Sequence, residues 1–131
     1  MLRLVLGTMA GVVLAMVAIV TLEAVGHQLF PVTGVDPSDP QALDSLVSHM
    51  SLAAQAFVIF GWTAGAALGG TVANLIARRR WPAIIVGGAI AASTVLNLLV
   101  LPHPLWMQAA GVLMPLLAGL AVARKVALPE D

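Results

Sequence analysis

Four uncharged apolar runs, at positions 4–22, 50–77, 81–101 and 105–123, decide what this chain can become. A hydrocarbon core about 30 Å thick needs roughly 20 helical residues at 1.5 Å each, and every run reaches about that length. With 60% of its residues hydrophobic, 9% charged and a mean hydropathy of +1.01, the chain could not hide its apolar surface in a soluble fold. At 131 residues it has room for one domain only, covering 1–131. The expected fold is an all-α membrane protein, a bundle of four transmembrane helices over about 4–25, 50–77, 81–101 and 105–123.

The run ends are marked by residues that lipid does not accept. Arg78, Arg79 and Arg80 close the second run, Pro102-His103-Pro104 ends the third, and Arg124-Lys125 closes the fourth, before a Leu128-Pro129-Glu130-Asp131 tail. Met1-Leu2-Arg3 resembles the start of a signal peptide, but the apolar stretch outruns such a segment and lacks a small-x-small cleavage site, so it is expected to stay. Four spans bring Arg3, Arg78, Arg79, Arg80, Arg124 and Lys125 to one membrane face, which the positive-inside rule makes cytoplasmic, with both termini there. Asp36, Asp39 and Asp44 fall on the other face, with Glu23 near it. These features and the absence of a eukaryotic targeting pattern fit a bacterial inner membrane.

The long connection, 27–48, holds Pro31, Gly34, Pro37 and Pro40, so its first half cannot be regular helix. Asp39 before Pro40 reads as an N-cap, and a short non-cytoplasmic helix from there is expected to run straight into the second span. Trp81 and Trp106 are expected at opposite interfaces, whereas Trp62, deep in the second span, is expected to pack between helices.

Helices in lipid associate by close packing, which small residues permit. Gly7 and Gly11 form one GxxxG pair, Gly61, Gly65 and Gly69 repeat that spacing twice, and Gly87, Gly88, Ala89, Ala91, Ala92 and Ser93 continue the pattern. This ridge suits packing within one bundle or between copies. Pro115 removes a hydrogen bond from the Gly111 carbonyl, so a kink or hinge is expected there.

Charge and composition exclude several classes. Six basic and six acidic residues cancel, which argues against nucleic acid as a partner. Without cysteine the chain cannot exchange thiols or hold an iron–sulfur cluster through its own thiolates. Ser48 and His49 diverge by about 100° on a helix, and no aspartate is placed to orient the imidazole, so no catalytic residue is assigned and no enzyme is expected.

The polar residues gather at one end. His27 ends the first span, His49 opens the second and His103 follows the third, with Glu23 just below them. Glu23 and His27, four apart, share one helix face about 6 Å apart along the axis and can share an ion. Three imidazoles and a carboxylate make Glu23, His27, His49 and His103 a candidate set for a divalent transition metal. The plainer reading is that His27 bonds Glu23 and that the other histidines decorate an interface. Gln55 and Asn97 lie six residues inside His49 and His103 and can glue helices together.

The stretch EAVGHQLFP at 23–31, the Asp36-Pro37-Ser38-Asp39-Pro40 loop and Pro102-His103-Pro104-Leu105-Trp106 resemble a group of small uncharacterised bacterial four-span proteins, a likeness that covers nearly the whole chain and implies no activity. In size and span number the chain also resembles small multidrug resistance transporters, which carry a glutamate on their first helix. It departs from them in the position of Glu23 near the end of its span, in lacking tyrosine, and in an aromatic content of 5%, which leaves little from which to build a cation cage. Three functional expectations follow. The first is a non-catalytic accessory subunit, lying in the lipid bilayer as a homo-oligomer or as part of a larger membrane protein complex. The second is a metal-binding or redox-related protein using the Glu/His set. The third is a small proton-coupled transporter using Glu23.

Overall fold

The computed structural model describes residues 1–36 and 38–125; Pro37, the tail at 126–131 and the side chains of Pro40, Leu43 and Asp44 lie outside the described residues. Five helices follow in order: α1 (Leu2–Leu29), α2 (Pro40–His49), α3 (Leu52–Ala77), α4 (Pro82–Val100) and α5 (Leu105–Lys125). Four of them, α1, α3, α4 and α5, are long and apolar enough to cross a membrane, and the chain is a multi-pass membrane protein. They alternate in direction, so Arg3, Arg78 to Arg80, Arg124 and Lys125 share one end of the bundle, here the basic end. Trp81 and Trp106, both partly exposed, mark opposite ends.

Helix boundaries follow local chemistry. α1 runs four residues past the expected span because nothing breaks it before Pro31. The loop after it turns on Asp36, whose carboxylate accepts from the Ser38 hydroxyl (2.6 Å) and amide (2.9 Å); these bonds, the hydroxyl's first, hold its carboxyl below the ordinary carboxylate range. Asp39 caps α2 by accepting from the Gln41 amide, with Pro40 at the first helical position. α2 does not continue into the second span as expected. Met50 and Ser51 are extended (ψ 138° and 155°), because the Ser51 hydroxyl accepts from the Ala54 amide and starts a new helix. Gln55 rejoins the two pieces, its buried amide donating to the Val47 and Met50 carbonyls at 3.1 and 3.4 Å.

Packing is built on small residues spaced by four. α1 buries Gly7, Gly11, Ala15 and Ile19, and it meets α3 antiparallel. A Cβ at Gly7 would lie 2.9 Å from the Ala73 carbonyl oxygen, and one at Gly11 2.5 Å from that of Gly69. Farther along, Gly65 receives Ile19 and Gly26 receives the ring of Phe57. Gly61 is looser, its nearest neighbour being Leu22 at 3.5 Å. α5 carries a similar ridge, Met107, Gly111, Pro115, Gly119 and Ala123, that seats against Ala83 and Gly87 of α4 and Trp62 of α3. A four-residue repeat follows the helix ridge inclined about 26° to the axis, the ridge used by close crossings in membranes. α3 and α4 thus form the middle of the bundle, with α1 and α5 on either side. α5 passes through Pro115 as one helix, with the proline buried against Gly87.

At the basic end, Arg78 takes the left-handed conformation (φ 51°) that ends α3, and Trp81 and Pro82 begin α4. The fully buried Asn74 binds this turn together, its Oδ1 accepting from the Ala83 amide at 2.8 Å. Its Nδ2 has no hydrogen-bond partner among the described residues.

Candidate functional site

Glu23 is the one acidic residue inside a span, and the helix register fixes its depth. It stands six residues, or about 9 Å, inside the loop-side end of α1, next to Leu22, which faces Gly61 of α3. Side chains on a helix lean toward its N-terminus, so Glu23 on α1 leans toward the basic end while Trp62 on antiparallel α3 leans the other way. The two meet, and the Trp62 indole Nε1–H donates to Glu23 Oε1 at 3.1 Å. An indole N–H out of water needs an acceptor and a carboxylate in a span needs donors, so each satisfies the other.

This pair lies in a cavity of about 190 Å³ between the loop-end halves of the helices, beneath α2. Phe30, Phe57, Leu46, Val47 and Met107 supply much of its apolar wall, and His27, His103 and Asn97 also line it. Phe30 and Phe57 pack with centroids 5.8 Å apart, and Trp62 lies 6.5 Å from the His103 ring. A second cleft of about 220 Å³, between α1 and α4, shares Glu23, Trp62 and Asn97 with the first.

The expected four-ligand metal set is not assembled. Among the described residues no group of three or more His, Cys, Asp or Glu stands close enough to hold an ion. His27 does not chelate with Glu23, because its Nδ1 donates back to the Glu23 main-chain carbonyl (2.8 Å) while the carboxylate turns to Trp62. His49, exposed at the end of α2, donates in the same way to the Ser45 carbonyl (2.8 Å) and does not line the cavity. The break at Met50 and Ser51 is the physical reason: it detaches α2, and His49 with it, from the axis of α3. His103 lines the cavity but bonds the Leu101 carbonyl at 2.6 Å.

These bonds leave a site of acceptors. A carbonyl only accepts, so each Nδ1 is the donor, which in the neutral form of the ring leaves Nε2 as an acceptor. Ser93 and Thr94, in the second cleft, give their hydroxyl protons to Ala89 and Ile90, leaving oxygens that accept. The Trp62 N–H is spent on Glu23. Of the side chains lining the two cavities, only Asn97 retains unspent donors.

Two features escaped sequence reasoning. Trp62 is Glu23's partner as well as a packing residue; an indole and a carboxylate, both at membrane depth, were the available signal. The aromatic content, low overall, is concentrated here: Trp62, Phe30 and Phe57 are three of only six aromatic residues in the chain. No known protein-family model matches the chain, and no curated protein or solved structure shows significant similarity to it.

Proposed function

We propose that the chain is a small proton-coupled carrier of a bacterial inner membrane that binds an amine cation at Glu23 from the periplasmic side. The supporting observation is the Glu23 carboxylate, bonded to Trp62 and sharing with Phe30 and Phe57 a cavity whose other polar groups are nearly all acceptors. Such a lining favours a ligand that brings its own N–H donors and a positive charge, and aromatic faces add attraction for a cation. The orientation in this reading rests on the positive-inside rule: the six lysines and arginines at the opposite end favour the cytoplasm, and His27 and His103 then face the periplasm. In the coupled cycle Glu23 holds either one proton or one ammonium, so each ammonium bound displaces one proton and charge balances.

Benzylamine titrated into purified protein, in buffers of differing ionisation enthalpy, tests this reading by counting protons released. The expected result is binding with release of a proton in the wild type and loss of both in Glu23→Gln. Protein-dependent counterflow of labelled benzylamine into liposomes then tests carriage. Absence of wild-type binding, or binding undiminished in Glu23→Gln, overturns the assignment.

A second reading, a non-catalytic accessory subunit in a homo-oligomer or larger complex, is favoured by α4. A Cβ on Gly88 meets nothing within 4 Å, and exposed Ala92 lies one turn on, leaving a small-residue strip open to the bilayer. A monomer-sized particle without partners, extracted gently from native membrane, counts against it.

A further inference from the structure

The second cleft tells what kind of amine reaches Glu23 and by what route. Its walls are parallel: Met16, Ile19, Val20 and Glu23 on α1 face Ile90, Ser93, Thr94 and Asn97 on α4. Nearer the basic end the two helices close up, where a Cβ on Gly11 would lie 3.1 Å from Val86 Cγ2. Above that contact they part. Met16 and Val20 are 42% and 60% exposed, on helices that cross the membrane, so the cleft faces the bilayer.

We infer that the ligand is an amphiphile with a protonated amine head and one apolar chain, entering sideways from the bilayer between α1 and α4 to place its head on Glu23. This rests on the amine-binding reading above. The cleft is polar at its loop end, at Glu23 and Asn97, and apolar about 10 Å toward the membrane centre, at Met16 and Ile90. An amphiphile in the leaflet on that side has the same order, head at the surface and chain toward the midplane. The match therefore requires no turning of the ligand. Ser93 and Thr94 oxygens, with their protons spent on α4 carbonyls, continue the row of acceptors about one turn below the head. A phospholipid amine is disfavoured, because its phosphate would sit near Glu23 with every lysine and arginine at the opposite end. The occupant is thus a single-chain amine.

The test uses full-length protein in nanodiscs, with Trp81→Phe and Trp106→Phe so that emission reports Trp62 alone. Octylamine, propylamine and octanol are titrated, octanol controlling for partition into lipid. Octylamine is expected to bind at least ten-fold tighter than propylamine, octanol to leave the signal unchanged, and Glu23→Gln to abolish both amine responses. Val20→Phe and Met16→Phe, each adding bulk at a bilayer-exposed position, are expected to bring octylamine down to the affinity of propylamine and leave propylamine as it was. Equal affinity for the two amines, or octylamine binding unaffected by both plugs, refutes the lateral route while leaving amine binding at Glu23 standing. Failure of both amines to bind the parent refutes the underlying reading, and this inference with it.

Discussion

Gly69→Ala tests the packing that holds the cavity's floor in place. The added methyl would overlap the Gly11 carbonyl oxygen and lie 2.7 Å from Ala15 Cβ and 3.1 Å from Ala15 N. Carbon contacts settle near 3.5–4.0 Å, so α1 must retreat by roughly 1 Å, which forfeits a quarter to a half of the dispersion energy of the atoms that face it. Two of these three obstacles are backbone atoms that no rotamer change can move. Overpacking typically costs 1–3 kcal/mol, and about 2–3 kcal/mol is expected here. Gly88→Ala is the control, since its methyl meets nothing within 4 Å. It is expected to be neutral or to gain up to about 1 kcal/mol of helix propensity. Unfolding of both variants in mixed micelles by denaturing detergent, followed by circular dichroism, gives the difference. Equal stability of the two variants would refute the α1–α3 approach described.

Other expectations follow from single contacts. Trp62→Phe keeps a ring but removes the donor from Glu23, and should cost about 1–2 kcal/mol in the same assay; Trp81→Phe, at an exposed position, should change stability by less than about 0.5 kcal/mol. Asn74→Ala strands the Ala83 amide at the start of α4 and should destabilise by about 1–3 kcal/mol, with the far-ultraviolet spectrum of the folded protein unchanged. Gln55→Leu frees the Val47 and Met50 carbonyls; hydrogen exchange of amides in α2 should quicken by about five- to ten-fold while α3 is unaffected.

The spans were legible because bilayer thickness dictates length, and arginines and prolines cannot be hidden between them. Helix starts were nearly as clear where a cap announced itself, as at Asp39 and Pro40. The site was less so. A four-residue spacing puts Glu23 and His27 on one face, yet each histidine has a nearer acceptor in a main-chain carbonyl, and that local bond wins over a shared ion. Nothing in the run from Pro40 forced a break at Met50, although Ser51, as a competent N-cap, allowed one. Pairing Glu23 with Trp62 depends on the register of two helices, which the periodicity of either one does not contain. The same holds for Gly111 and Gly119 of α5, whose close approach to α3 and α4 appears only once the helices are placed side by side.

The claim that Glu23 is a ligand-accessible carboxylate at membrane depth is tested most directly by covalent labelling. Native membranes are treated with apolar dicyclohexylcarbodiimide, with and without octylamine, and the adduct is mapped by mass spectrometry. The account predicts one adduct on Glu23, suppressed by the amine and missing in Glu23→Gln. A Glu23 that remains unlabelled, or labels equally with amine present, would contradict it.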